Sequence, residues 1–253
     1  MSGAAQDAAE REGRHPLFEV EAAALAAPPA RDALAALGRE GRVKVLAEVK
    51  RASPSRGDLA AIEDPAALAA TYAAAGASAI SVLTEERRFR GSLDDLAAVR
   101  AAVDVPVLRK DFVSHAYQVL EARAAGADLV LLIVAALEDE ALASLYRLTL
   151  DLGMTALVEA HTAAEVDSAL GVGARLVGVN ARDLDTFELD RDLFGRLADR
   201  IPDDVLRVAE SAVRTADDVG AYRAAGADVV LVGEALVTGD PAALLTTFLE
   251  AGS

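Results

Sequence analysis

Eight short runs rich in Val, Ile and Leu recur along the chain, each followed by a longer Ala/Leu stretch of helical spacing. This alternation restricts the fold more than any other feature. The runs are residues 45–50, 79–83, 107–110, 129–133, 155–159, 176–180, 206–210 and 229–233. Their ends fall roughly 20 to 33 residues apart, which suits a repeated strand–helix unit. The joints repeat too. Ala75-Gly76-Ala77, Ala125-Gly126-Ala127 and Ala225-Gly226-Ala227 each follow an Ala-rich helix and precede a strand, and Gly173-Ala174 is a looser copy. Glycine ends a helix because it enters a left-handed turn at no steric cost. Asp128 and Asp228 then open their strands in the same register, so the halves of the chain are built alike. Asp64-Pro65 and Asp240-Pro241 pair a capping carboxylate with a first-turn proline, and Ser92, Ser114, Thr162 and Thr215 are candidate N-caps.

Eight βα units in series predict an α/β fold with a parallel, closed, eight-stranded sheet, the (β/α)8 TIM barrel. The rival is an open doubly wound sheet. It more often has fewer strands, and no early strand here is followed by G-x-G-x-x-G. Residues 43–253 carry the repeat and are the expected catalytic barrel domain. Residues 1–42 are an N-terminal helical extension outside it. Within them, 18–37 is apolar enough for one or two helices packed on the barrel, with Pro28-Pro29 breaking them.

Composition narrows the function. Hydrophobic residues make up 53% of 253 and aromatics only 4%, so Ala, Leu and Val must fill the core, which barrel interiors tolerate. The formal net charge of −16 repels polyanions at long range, so no nucleic-acid partner is expected. An anionic substrate needs a locally basic site in such a protein, which makes the few lysines informative. The absence of Cys removes disulfides, thiol catalysis and thiolate metal sites. The three histidines, His15, His115 and His161, show no H-E-x-x-H spacing and no cluster, so no metal is expected. Residues 1–14 are polar, without an apolar signal core, and the longest apolar run, 129–137, is too short to span a bilayer. A cytoplasmic protein without a membrane partner is the expectation.

In a barrel of this type the active site lies at the C-terminal ends of the strands. Those ends carry Glu48-Val49-Lys50, Lys110-Asp111, Glu159, Asn180, Glu210-Ser211 and Gly233-Glu234. Alternation along a strand puts Glu48 and Lys50 on one face. Such a ring is either a structural ion-pair cap or a catalytic constellation, and on this fold the set favours catalysis. Ser53-Pro54-Ser55-Arg56-Gly57 reads as an anion-binding loop or lid, or as an ordinary βα loop. Phe89 and Phe112, in a chain poor in aromatics, either line an aromatic pocket or plug loops. The loops at Ser211 and Gly233 are the natural phosphate position. His115 reads as a first-turn helical residue and His161 as a loop residue near the mouth.

These residues in order resemble the indole-3-glycerol-phosphate synthase family. Glu48 to Gly57 is similar to its E-x-K-x-x-S-P-S-x-G signature. Ser81-Val82-Leu83-Thr84-Glu85 with Phe89-Arg90-Gly91-Ser92, Leu108 to Phe112, Leu157-Val158-Glu159, Asn180 to Leu184 and Ala209-Glu210-Ser211 continue the match over about residues 43 to 250. The resemblance implies a lyase of tryptophan, and so aromatic amino-acid, biosynthesis. It closes the indole ring of 1-(2-carboxyphenylamino)-1-deoxyribulose 5-phosphate with decarboxylation and loss of water, and needs no cofactor. It implies Lys110 as general acid and Glu159 as general base. Lys50 holds the substrate carboxylate and shares the acid role, and Glu48, Asn180 and Glu210 orient these groups. Arg182 adds a cation for the anionic substrate. Ser53, Ser211 and Gly233 bind phosphate, with Glu234 beside them, and Phe89, Phe112, Leu131 and Leu184 pack on the anthranilate ring. A monomer is expected.

Two departures stand out. Ala212 occupies a position where the family usually has Gly. If that position needs a positive φ, Ala costs affinity; if φ is negative, little changes. The expectation is a phosphate corner intact but slightly displaced. The N-terminal extension looks short, without the additional helical stretch that helps family members cover the mouth. A related phosphate-binding barrel enzyme, of the phosphoribosylanthranilate isomerase type or a secondary-metabolism paralogue, is the alternative; a barrel kept as a non-catalytic subunit is a third.

Overall fold

The computed structural model describes every residue except Met1, Ser55 and Asp185. Ser55 of the predicted anion loop therefore lies outside the described residues. Eight parallel strands close on themselves: β1 (Lys44–Val49), β2 (Ala79–Leu83), β3 (Val107–Lys110), β4 (Leu129–Ile133), β5 (Thr155–Ala160), β6 (Leu176–Asn180), β7 (Leu206–Glu210) and β8 (Val229–Val232). β1 pairs with both β2 and β8, which leaves no edge. The expected barrel is therefore observed, and five of the eight strands have the expected bounds. The differences are small. β1 begins at Lys44 and stops before Lys50, β5 runs on to Ala160, and β8 stops before Gly233.

Side-chain alternation splits the core into two layers. Leu46, Leu108, Leu131, Leu157, Leu176, Val208 and Leu231 fill the barrel interior. Val45, Val82, Val130, Val158, Val177 and Val230 face outward and pack with the surrounding helices. Those helices are α4 (Pro65–Ala74), α6 (Leu93–Ala102), α7 (Ala116–Ala124), α8 (Asp139–Asp151), α9 (Ala163–Gly171), α10 (Leu193–Ala198), α11 (Ala216–Ala224) and α13 (Pro241–Ala251), with short α5 (Glu86–Phe89) and α12 (Glu234–Thr238) above the mouth. Asp64, Ser92, Thr162, Thr215 and Asp240 cap their helices as expected. The repeated joint glycines have φ of 98° at Gly76 and 90° at Gly126 and Gly226.

Two expectations need correction. The cap before α7 is His115, not Ser114. The Gln118 side chain accepts from the backbone N–H of both residues, so the amide supplies the cap and Ser114 is left one position outside the helix. The N-terminal residues also form a helix that was not expected: α1 (Ser2–Arg14), ahead of α2 (Leu17–Ala26) and α3 (Ala33–Ala36). No apolar stripe announces α1, because polar contacts hold it. Asp7 pairs with Arg87, and Arg11 donates to Glu121 at 2.7 Å. Glu121 in turn meets the fully buried Arg109 beneath α7. α3 closes the bottom of the barrel, where Ala33 and Leu37 join the interior layer.

Candidate active site

The C-terminal mouth of the barrel opens into a cavity of about 330 Å³. It is lined by Glu48, Lys50, Ser53, Phe89, Lys110, Phe112, Leu131, Glu159, Asn180, Arg182, Leu184, Glu210, Ser211, Gly233 and Glu234, so the structure brings every sequence-predicted site residue to one place. The physical reason is register. β1, β3, β5, β6 and β7 have their aliphatic inward positions low in the barrel and their polar inward position at the top, whereas β4 stays apolar to its end and β8 passes into Gly233.

Lys110 is the hub. Its Nζ lies 2.8 Å from Glu159 Oε2 and 3.1 Å from Glu210 Oε2, so one ammonium bridges carboxylates from β5 and β7. Asn180 Nδ2 donates to Glu159 Oε1 at 3.1 Å. Asn180 Oδ1 accepts from Ser211 Oγ at 2.8 Å and from the Arg182 backbone N–H at 3.0 Å. β6 therefore gives one end of the Asn180 amide to Glu159 and the other end to the next loop. A second pair stands beside this one: Lys50 Nζ to Glu48 Oε1, 2.6 Å.

Two glycines make room for these groups. A Cβ on Gly178 would sit 2.1 Å from Glu210 Oε1, and one on Gly233 would sit 2.4 Å from Glu48 Oε1 and 3.1 Å from Lys50 Nζ. Gly233 is thus required by the Glu48–Lys50 pair, a reason the sequence did not disclose.

Burial and charge pull the titrations apart. Burial works against the Lys110 charge, but Glu159, Glu210 and Glu48 outweigh it and hold the ammonium above its ordinary value. Burial would raise Glu159, yet Lys110, His161 and the hydrogen bonds it accepts hold it down to about 2. Glu210 is pushed up to about 8, by burial first and by the charge of Glu159, against the pull of Lys110. At neutral pH the cluster therefore holds an ammonium, a carboxylate and a largely protonated carboxyl. Sites whose paired groups are driven apart in this way assign acid and base roles.

The apolar wall and the anion corner complete the cavity. Phe89 and Phe112 stand 6.4 Å apart and tilted by 47°, with Leu131 and Leu184 also on the lining. Of the two readings left open for the phenylalanines, the pocket wall is what forms. On the same lining Ser53 Oγ is buried and has no hydrogen-bond partner among the described residues. Ser211 and Ala212 both have positive φ, 67° and 66°. Ala212 is therefore in the conformation that favours Gly, and its Cβ carries the corresponding strain. Glu234 pairs with Arg56 of the predicted anion loop at 2.7 Å and lies 3.9 Å from Arg214, a cation that sequence reasoning did not single out. The signal of Arg214 was weak, since isolated loop arginines are common. His161 was also underread. It lies two residues after Glu159, hence on the same side of β5, and its Nε2 is 3.5 Å from Glu159 Oε1. Among the described residues no group of three His, Cys, Asp or Glu is arranged to hold a metal, and no helix is long and apolar enough to cross a membrane.

A family model described as indole-3-glycerol phosphate synthase matches residues 1–247. Curated relatives carry the same description. A protein of Leifsonia xyli subsp. xyli is 69% identical over 247 residues, covering 98% of this chain and 95% of the relative. Proteins of Mycobacterium avium and Mycobacterium tuberculosis are 60% and 58% identical over 254 residues, covering 100% of this chain and 93% of each relative.

Proposed function

Because this chain belongs to the indole-3-glycerol phosphate synthase family, we propose that it is a carboxy-lyase of tryptophan biosynthesis. Its reaction closes the indole ring of 1-(2-carboxyphenylamino)-1-deoxyribulose 5-phosphate, with release of CO2 and water. The observation that carries the reading is the Lys110 ammonium bridging two buried acidic side chains, Glu159 and Glu210, at the mouth, beside an aromatic wall.

The chemistry asks for what this cluster offers. The ring carbon bearing the carboxylate attacks the ketone carbon, and the ketone oxygen needs a proton as its π bond breaks. Lys110 is charged and central, and gives that proton. CO2 then leaves, and its bonding pair restores the aromatic ring. In the last step the new hydroxyl departs as water, and a carbon–hydrogen pair becomes the indole double bond. Glu159, kept ionised, takes that proton, and Lys50 or Lys110 protonates the hydroxyl. Glu48, Asn180 and Glu210 hold these groups in place. Acid–base catalysis by groups so positioned contributes about 10²–10⁴-fold.

The phosphate goes to the corner formed by Ser53, Ser211 and Gly233, where the partnerless Ser53 hydroxyl supports an oxygen ligand. Arg182 adds a cation to the rim, and Glu234 holds Arg56 and Arg214 near it. Phe89, Phe112, Leu131 and Leu184 take the anthranilate ring. The reading includes a monomer acting in the cytoplasm; sedimentation equilibrium showing a dimer would remove the first part. The test of function is direct. The folded protein is mixed with the carboxyphenylamino-deoxyribulose phosphate, and indole fluorescence is followed. Growth of the product signal with enzyme concentration is expected, and folded protein that forms no product overturns the proposal.

A further inference from the structure

His161 stands behind Glu159, and none of the steps above uses it. Its side chain is 11% exposed. Nε2 is buried and has no hydrogen-bond partner among the described residues, although Glu159 Oε1 is 3.5 Å away. On the other side of the ring, Nδ1 lies 3.4 Å from Glu165 Oε2. That same oxygen accepts from the His161 backbone N–H at 2.8 Å, and the other oxygen of Glu165 accepts from Thr162 Oγ1 at 3.0 Å. Glu165 belongs to the first turn of α9 and reaches solvent, whereas Glu159 does not. The imidazole is thus held between an outer carboxylate, fixed by backbone and cap, and the inner carboxylate of the site.

A neutral imidazole has one N–H and one lone pair. With N–H turned toward Glu165, the lone pair faces Glu159. Two facing acceptors repel until a proton lies between them, and a small approach from 3.5 Å then closes a charge-assisted hydrogen bond. The charged and titratable groups facing the ring are Glu159 from β5 and Glu165 from α9. Lys110 of β3, Asn180 of β6 and Glu210 of β7 reach Glu159 or its partners instead.

We propose that His161 is a positioning residue for the base, taking over the proton that Glu159 removes and holding it until product leaves. The inference rests on the proposed ring closure. The electron pair of the broken C–H bond enters the new double bond, and the proton bonds to Glu159. The O–H bond of Glu159 then breaks, its oxygen keeps the pair, and the Nε2 lone pair takes the proton. The imidazolium lies between two carboxylates, and Glu159 is a carboxylate again. After release of the indole product, water enters the mouth and receives the proton from Nε2 by way of Glu159. One proton passes from substrate to water, and both side chains return to their starting states.

The test uses His161→Asn, which keeps a side-chain amide near Glu159 but cannot store a proton, together with Glu165→Gln. In the wild type, kcat should show an acid limb, since an imidazole already protonated cannot accept. In His161→Asn, kcat at neutral pH should fall by about tenfold or more, with KM within about twofold, and the acid limb should disappear. In Glu165→Gln the limb should move to lower pH. A His161→Asn enzyme with wild-type kcat, or one that keeps the limb, overturns the proposal. So does a loss that appears in KM alone, which marks a merely structural role. A second measurement needs no turnover. The NMR titration of the His161 ring in the unliganded protein should shift to lower pH in Glu159→Gln, and an unchanged titration overturns the inference. Absence of product from wild-type enzyme in the same assay would instead defeat the ring-closure reading, and the NMR result would still decide whether His161 is coupled to Glu159.

Discussion

The two ends of this barrel both bury charge, and they handle it in opposite ways. At the floor, Asp128 is fully buried with its partners in place. It accepts from the backbone N–H of Arg31 at 2.8 Å and of Val107 at 2.9 Å, and Arg100 Nε lies 3.2 Å away. Asp228 repeats the device one half-barrel on. It pairs with Arg39 at 2.6 Å and accepts from the Arg207 N–H at 2.8 Å. Both carboxylates latch the N-terminal segment beneath the barrel. At the mouth the polar groups are incompletely satisfied: Glu210 Oε1, Ser53 Oγ and His161 Nε2 are buried without hydrogen-bond partners among the described residues. A complete set of partners makes a buried charge hold the fold. An incomplete set leaves groups ready for a ligand, at a cost in stability.

The sharpest break of this contrast is a pair of substitutions, one at each end. Glu159→Gln should lower kcat by about 10²–10⁴-fold in protein that still folds. Asp128→Asn should do the reverse and destabilise by about 3 kcal/mol, because it puts an amide N–H2 where donors converge, with kcat of the folded fraction intact. Chemical denaturation and steady-state kinetics on both variants settle the matter; a Glu159→Gln protein that is inactive because it is unfolded would dissolve the distinction.

Smaller effects sharpen it. Glu210 is raised from an ordinary 4.5 to about 8, so the folded protein keeps a proton that the unfolded chain gives up. Its contribution to stability is fully present below about pH 4.5 and is lost as pH rises through about 8. Glu159 has the opposite sign: held near 2, it contributes above about pH 4.5 and loses that contribution as pH falls toward 2. Unfolding free energies of Glu210→Gln across this range should therefore lack the decline between about pH 4.5 and 8, while the acid-side loss remains. A wild-type slope retained in Glu210→Gln would place the protonated group elsewhere. The smallest expected change is at Ala212. With φ of 66°, Ala212→Gly should stabilise the folded state by about 1 kcal/mol and change KM by less than about tenfold. A larger fall in KM would mean that the Ala212 methyl displaces the phosphate corner, and not merely that it strains the loop.

Much of this was legible before any coordinates. The period of the βα units and the Ala-Gly-Ala joints sufficed for the barrel, because each is a local signal repeated several times. The polar ring at the mouth was legible because strand ends in a closed barrel must converge, so Lys110, Glu159, Asn180 and Glu210 need no long-range contact to be grouped. Less visible were features that depend on a partner distant in sequence. α1 was missed because Asp7 and Arg11 find Arg87 and Glu121 only in the folded chain. His161 is the loop residue expected, one position past β5, but its contacts with Glu159 on one side and Glu165 on the other were not visible. The spacing of two from Glu159 was the signal available, and alternation along β5 is what it encoded.

The sequence by itself determined the number of units, the hand-over from aliphatic to polar residues along β1, β3, β5, β6 and β7, and hence which side chains meet at the mouth. Those follow from periodicity, which the backbone imposes locally. Only the tertiary structure decided how the charges are shared. One ammonium serves two carboxylates, Gly178 and Gly233 clear space for Glu210 and for the Glu48–Lys50 pair, and the N-terminal segment seals the floor through Asp128 and Asp228. The reason is distance: an electrostatic environment is set by groups within a few ångströms, whatever their separation along the chain.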